Sequence, residues 1–373
     1  MGCIVTFTVF RNTNYGALLQ AYALQKTLIQ IQERPVYLID YIRDENTNLM
    51  HNGVLFYGRH RKKTINCRSL KKACKSVLNY YGTVVRTKQF QKFVREYLAV
   101  YPVEFYSDDS IYIDNLEYIL LGSDQIWNPD ITHGFQKQYF GVTNSKPRKV
   151  IAYAPSIGKL TFSESEKNQL NELLQNVDVL SCREQQSCEI LEKLSGRNVT
   201  CVLDPTLLLE RDAWERIIDY SCDLPPKYIL VYSLRNDQNL TQAAVEKAQK
   251  AGCVVIFLGN GHGKRPKGAI YCKAFGPQQF LAAISGAEYV YTDSFHGTVF
   301  SIIFHKKFVT KANGEKGQRM EDLCNKLMLG DRVYRDNNKQ PEIDSEINYQ
   351  EIDKKLLQYR DESVKYIRKS LEI

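Results

Sequence analysis

The sequence has no apolar run long enough to cross a bilayer, no C-x-x-C pair, and no cysteine and histidine spacing suited to zinc. Those gaps argue against a membrane-crossing helix and against a zinc site, and no metal site is expected. Its ten cysteines are scattered and sit mostly in apolar contexts, as Cys253 does before Val254-Val255-Ile256, so they read as small buried hydrophobes in a reducing compartment. The opening Met1–Thr6 lacks a basic region and a small-residue cleavage site, and is not read as a signal peptide. Gly2 with Thr6 fits the loose myristoylation pattern, but Cys3–Phe7 is needed as a core strand. A cytoplasmic protein is expected.

Acidic residues are also missing from a long stretch. None falls between Glu45 and Glu96, whereas Arg59, Arg61, Lys62, Lys63, Arg68, Lys71, Lys72, Lys75, Arg86, Lys88, Lys92 and Arg95 do. These exceed the whole formal excess of +8 and leave the remainder of the chain net acidic. The segment reads as two helices parted near Tyr80-Tyr81-Gly82. Leu70, Ala73, Cys74, Val77 and Leu78 stripe the first, and Phe90, Phe93, Val94 and Tyr97 the second. Such a surface is either a solvated helical insertion or a basic face for anionic lipid or a polyanionic substrate. It carries no nucleic-acid-binding motif, so no nucleic-acid partner is expected.

What is present is the alternation of parallel α/β folds. At 373 residues the chain exceeds one ordinary hydrophobic core, and two domains are the default. Ile4–Phe7, a helix over 17–31 and Val36–Ile39 form a βαβ unit. Its first turn, Asn12-Thr13-Asn14-Tyr15-Gly16, stands where open α/β sheets bind ligands, yet lacks the glycines of a dinucleotide fingerprint. Strands follow at Tyr118–Leu121, Lys149–Ala154, Val179–Ser181 and Val199–Leu203, and Ser163 with Glu166 forms a capping box for the helix to Gln175. A second α/β pattern starts after Ser221–Pro226, with strands at Tyr228–Tyr232, Cys253–Leu258 and Lys307–Val309, and the stretch Tyr289–Thr298 reads as a strand running into a polar turn and then into the buried helix Val299–Phe304. The run Gly259–Lys264 fails the phosphate-loop pattern and reads as a plain loop. The expected division is 1–220, carrying the basic insertion at about 50–100, then 221–345, then a helix over 346–373 that packs back on the first domain.

Candidate chemistry gathers at the carboxyl ends of these strands. Asn14, Asp124 and Arg183 would form one wall of an inter-domain cleft, and Asp293, Ser294, His296, Lys316 and Arg319 the other. The turn carrying Asp293, Ser294 and His296 runs from strand into helix, a place where unpaired backbone N–H groups favour an anion. Ser294 could equally be an ordinary helix cap, His296 a satisfied buried histidine, Arg183 half of a salt bridge and Asp124 the cap of a turn.

Five runs resemble the polysaccharide pyruvyl transferase family: Asn14–Gln25, Gly122–Asn128, Ser181–Ser187, Asp204-Pro205-Thr206 and Asp293–Gly297. They occur in the family's order over about residues 3–330, without the basic segment. The resemblance implies two facing Rossmann-like domains of the glycosyltransferase-B kind. It implies transfer of the enolpyruvyl skeleton of phosphoenolpyruvate to a sugar hydroxyl pair, making a cyclic ketal for capsule or exopolysaccharide, with no further cofactor. On that reading Arg183 and the turn carrying His296, Ser294 and Gly297 hold phosphoenolpyruvate, Lys316 or Arg319 completes the clamp, and Asn14 lines the site. His296 moves protons, Asp293 orients it, and Asp124 binds the acceptor hydroxyl. Acceptors of this family sit on lipid carriers, which gives residues 59–95 a rationale as a dock on an anionic membrane surface at the inner face of the cell membrane. A nucleotide-sugar glycosyltransferase of the same architecture and a non-catalytic glycan-binding homologue remain as alternatives.

Overall fold

A computed structural model describes residues 2–42, 70–106, 110–259, 266–314, 317–336 and 341–373. In chain order these form β1 (Cys3–Phe7), α1 (Tyr15–Ile31), β2 (Val36–Ile42), α2 (Leu70–Tyr97), β3 (Val100–Tyr106) and β4 (Leu116–Leu121). There follow α3 (Pro129–Thr132), β5 (Lys149–Ala152), α4 (Glu164–Leu174), β6 (Leu180–Cys182), α5 (Gln185–Ser195) and β7 (Val199–Cys201). Next come α6 (Arg211–Glu215), β8 (Tyr228–Ser233), α7 (Gln238–Ala251), β9 (Val254–Gly259), β10 (Ile270–Tyr271), α8 (Pro277–Ser285) and β11 (Tyr289–Thr292). The chain closes with α9 (Phe295–Ile303), β12 (Lys307–Lys311), α10 (Gln318–Lys326), β13 (Val333–Tyr334) and α11 (Tyr349–Ser370).

The chain divides into two compact units, one of residues 1–45, 97–209 and 350–373, the other of 46–96 and 210–349. The first holds a parallel sheet in the order β3-β2-β1-β4-β5, with β6 and β7 as a separate parallel pair reached through an Ile151–Val179 bridge. The second holds a six-stranded parallel sheet in the order β10-β9-β8-β11-β12-β13. Both sheets grow outward from a first strand and then restart on its other side, the Rossmann-like winding, so each has a switch point of the kind at which open α/β sheets bind ligands. In the first unit that point lies between β1 and β4; in the second it lies between β8 and β11.

Near-continuous apolar strands explain why these sheets are covered on both faces. Ile229, Leu230 and Val231 are fully buried in β8, as are Ile119, Leu120 and Leu121 in β4. The helices start where side chains supply caps. Asn14 Oδ1 accepts from Gly16 and Ala17 N at the start of α1, and Ser163 and Glu166 form the expected capping box on α4. Within the first unit Gln25 of α1 is buried and donates to the carbonyls of Val36 and Ala99, tying the helix to β2 and to the approach to β3.

The C-terminal helix belongs to the first unit. Ser363 Oγ accepts from Leu203 N at 3.0 Å, Arg360 Nε donates to Leu207 O at 3.0 Å, and Tyr366 OH donates to Ala152 O at 2.8 Å.

Three features differ from the sequence reading. The boundary falls at Leu209–Glu210 rather than at 220, because Trp214 packs edge-on against Phe300 at 4.9 Å and Gln278 Nε2 donates to Ile217 O. The helical part of the basic segment counts with the second unit, where Gln89 and Lys273 closely approach Gly276 and Gly82 respectively. It is one helix, α2, that runs straight through Gly82: an internal glycine costs a helix about 1 kcal/mol and need not end it. Arg59, Arg61, Lys62, Lys63, Arg68 and the loop residues 260–265 lie outside the described residues.

Candidate active site

At the switch point of the first unit, β4 runs out through Gly122 into Ser123 and Asp124. Gly122 N donates to Phe7 O, and a Cβ at Gly122 would lie 2.9 Å from Thr8 Cβ, so a side chain has no room. Thr8 Oγ1 donates to Ser123 O at 2.7 Å while accepting from Gln20 Nε2 at 2.9 Å. The ends of β1, β4 and α1 are thereby fastened together. Asp124 has a left-handed φ of 77°, a conformation that costs a non-glycine residue roughly 1 kcal/mol or more. Its carbonyl accepts from Ser156 N at 2.9 Å and its Oδ1 from Gln125 N at 2.8 Å.

Arg183, just past β6, lies behind this loop. Its Nη1 donates to Asp204 Oδ2 at 2.7 Å and to Ser123 Oγ at 3.4 Å, its Nε donates to Glu184 Oε1 at 2.8 Å, and its Nη2 is 3.9 Å from Asp124 Oδ1. Burial pushes its pKa down, but the carboxylates of Glu184, Asp204 and Asp124 outweigh that and hold it above the ordinary value. With the side chain 1% exposed and surrounded by carboxylates, Arg183 braces the Ser123–Asp124 loop from within, where the sequence suggested a cation presented to an anion. Asp204 completes the brace: its Oδ1 accepts from Thr206 N and Oγ1. Asn14 stands exposed on the same edge as the cap of α1.

The second unit repeats the plan at β8 and β11. Asp293 accepts from Ser233 Oγ at 2.7 Å, Leu234 N at 2.7 Å and Arg235 N at 3.2 Å, so its carboxylate fixes the loop leaving β8. Ser294 caps α9, accepting from Gly297 N at 3.4 Å, and its own N–H donates to Thr292 Oγ1 at 3.1 Å. Gly297 sits against the sheet: a Cβ there would lie 2.2 Å from Thr292 Oγ1 and 2.9 Å from Tyr232 Cδ1. His296, 7% exposed, packs edge-on to Phe295 with centroids 5.2 Å apart, and the Arg319 guanidinium lies over the same Phe295 ring at 5.4 Å. The structure thus gathers Asp293, Ser294, His296, Gly297 and Arg319 on one turn and its neighbour. Lys316 lies outside the described residues.

Two further basic residues stand at this edge. Arg235 is exposed on the loop after β8 and donates to Asn313 O at 2.9 Å. Lys311 ends β12 with its side chain 1% exposed, paired to Asp237 at 2.6 Å and Asp336 at 2.5 Å. Burial lowers its pKa, but the two carboxylates more than offset this and raise it. Arg235 stands just beyond the end of β8, the signal that singled out Arg183, and that signal would have found it, whereas Lys311 is the last residue of β12 itself.

Among the described residues no cluster of histidine, cysteine and acidic side chains is arranged to hold a metal ion, and no helix is long and apolar enough to cross a membrane. The arrangement offers instead bound backbone amides, a buried histidine and arginines at a sheet's carboxyl edge.

Comparison with curated proteins finds no match. Among solved structures, the chain is similar to UDP-GlcNAc 2-epimerase from Neisseria meningitidis bound to UDP-GlcNAc, with a TM-score of 0.49, 10% identity, and 100% of this chain and 99% of that one covered. It is also similar to the N-terminal domain of trehalose-6-phosphate phosphatase from Candida albicans, with a TM-score of 0.44, 10% identity, and 99% and 98% covered. The family model described as polysaccharide pyruvyl transferase matches residues 14–315, a span that holds both switch points, and the chain belongs to the polysaccharide pyruvyl transferase family.

Proposed function

We propose that this protein transfers the enolpyruvyl carbon skeleton of phosphoenolpyruvate to a pair of hydroxyls on a sugar, closing a cyclic pyruvate ketal and releasing phosphate. Family membership supports a transferase, and the observation that carries the finer reading is the carboxyl edge of the second sheet. There His296 and Arg319 flank Phe295 on the turn into α9, a setting suited to an anionic donor.

The chemistry balances without a further reactant. A proton added to the methylene carbon turns it into a methyl group and leaves oxocarbenium character on the central carbon. One sugar hydroxyl oxygen bonds to that carbon and gives up its proton. The second hydroxyl oxygen then bonds to it as the carbon–oxygen bond to phosphate breaks, and its proton leaves with inorganic phosphate. These steps need a group that can carry protons near neutrality, and His296 is assigned that work. Arg319 is assigned to the donor's negative charge.

The acceptor in this reading is a glycan on a lipid carrier in capsule or exopolysaccharide assembly, met at the cytoplasmic face of the cell membrane. The basic residues of 59–95 would hold the protein to anionic lipid there. The test is phosphorus NMR of phosphoenolpyruvate incubated with the protein and candidate galactosides or mannosides. Acceptor-dependent loss of the donor signal with matching growth of inorganic phosphate supports the proposal; a donor signal untouched by every acceptor refutes it.

A further inference from the structure

Three of the described loops at the carboxyl edge of the second sheet follow β8, β11 and β12, and the proposed reaction uses the last two. The remaining one is the loop that leaves β8 through Ser233, Leu234 and Arg235. It is held unusually firmly for a surface loop. Asp293 accepts from Ser233 Oγ and from the main-chain N–H groups of Leu234 and Arg235. Ser233 Oγ also accepts from Asp237 N at 3.1 Å, Asp237 caps α7 through Leu240 N, and Lys311 grips Asp237 from the end of β12. A buried lysine paired with two aspartates is a costly way to fix a turn. What it fixes is the backbone that carries Arg235.

The Arg235 side chain itself is exposed. Its Nη1 donates to Asn313 O at 2.9 Å, which aims the guanidinium along the loop that follows β12, the same loop that leads to Arg319. Asp336 is within electrostatic reach of it: Lys311 first, then Arg235, hold the Asp336 carboxyl below its ordinary pKa. Asp336 is already committed to Lys311 at 2.5 Å. An arginine with an anchored backbone, a head turned to solvent and a place at the switch point between β8 and β11 matches the demands of planar recognition of a phosphate or carboxylate.

We infer that Arg235 is a binding residue for an anionic group of the ligand, paired in function with Arg319, and that Asp293 is the positioning residue that presents it. The inference rests on the proposed reaction for the name of the anion, phosphoenolpyruvate, and on the geometry alone for the presence of an anion subsite.

The test measures inorganic phosphate and phosphoenolpyruvate binding by calorimetry, without acceptor, in the wild type and in Arg235→Ala, Arg235→Lys and Arg211→Ala. The last removes one charge from an exposed arginine paired with Glu215 in the same unit. Arg235→Ala should lose about tenfold or more in affinity for both anions with its melting temperature kept. Arg235→Lys should recover part of the loss, and Arg211→Ala should match the wild type. Equal affinity in Arg235→Ala, an equal loss in Arg211→Ala, or no phosphate binding by the wild type would each overturn the inference. If phosphate binding depends on Arg235 while no acceptor ever consumes phosphoenolpyruvate, the subsite stands and the proposed reaction falls.

Discussion

Arg183 Nη1 donates to Asp204 Oδ2 at 2.7 Å, and the two side chains are 1% and 0% exposed. Around that bond lie Glu184, Ser123 and Asp124, so one buried guanidinium ties β6, the end of β7 and the loop after β4 into one piece. Removing one partner of such a pair strands a charge in the interior. Arg183→Ala or Asp204→Ala should therefore cost about 3–5 kcal/mol in chemical denaturation. Arg183→Met combined with Asp204→Leu should cost less than the two single changes summed, because neither charge is then left alone.

Gly297 is a site where space decides. Its missing Cβ lets α9 lie directly on Thr292 and Tyr232. Gly297→Ala should destabilise the second unit by about 1–3 kcal/mol, read as a lower denaturation midpoint. Thr292→Ala removes the oxygen that an alanine at 297 would strike, so the double variant should be less than additive; full additivity would show that the contact does not limit packing.

Glu166 gives the pH dependence a sign. Its carboxylate accepts from Lys159 Nζ at 2.7 Å and from Ser163 N at 2.8 Å, and these bonds lower its pKa from 4.5 to about 2. A carboxylate depressed in the folded state stabilises above its unfolded pKa and loses that contribution as pH falls through the folded value. Wild type should thus melt higher than Glu166→Gln at pH 7, and the gap should close between pH 4.5 and about 2. A gap that stays constant over that range would contradict the assignment.

The basic segment makes a prediction independent of chemistry. Wild type should sediment with vesicles containing anionic lipid, and neutralising Arg59, Arg61, Lys62, Lys63, Arg68, Lys71, Lys72 and Lys75 should reduce the bound fraction, at about 1 kcal/mol per charge in contact. Equal sedimentation of the two proteins would remove membrane docking from the account.

The parallel sheets were legible because buried strands write themselves as short apolar runs between helices. Thus β1, β4, β8, β9, β11 and β12 follow from residues alone. The edges did not. β3 contains Pro102, which breaks a strand pattern and is tolerated because β3 is an edge strand whose pairing is on one side only. β10 and β13 are two residues long, too short to show alternation. The turn at Asp293–Gly297 was legible as a strand entering a helix, but its partners were not, since Ser233 and Asp293 are 60 residues apart in sequence. Likewise nothing near Arg183 in the chain announces Asp204, 21 residues on, as the charge that buries it.

The central claim is that His296 serves pyruvyl transfer from phosphoenolpyruvate. The most direct measurement is the rate of acceptor-dependent phosphate release by His296→Ala beside the wild type, with circular dichroism to confirm equal folding. Loss of a proton-transferring group predicts a fall of about 10²–10⁴-fold in kcat with phosphoenolpyruvate binding largely kept. Turnover at the wild-type rate would contradict the account.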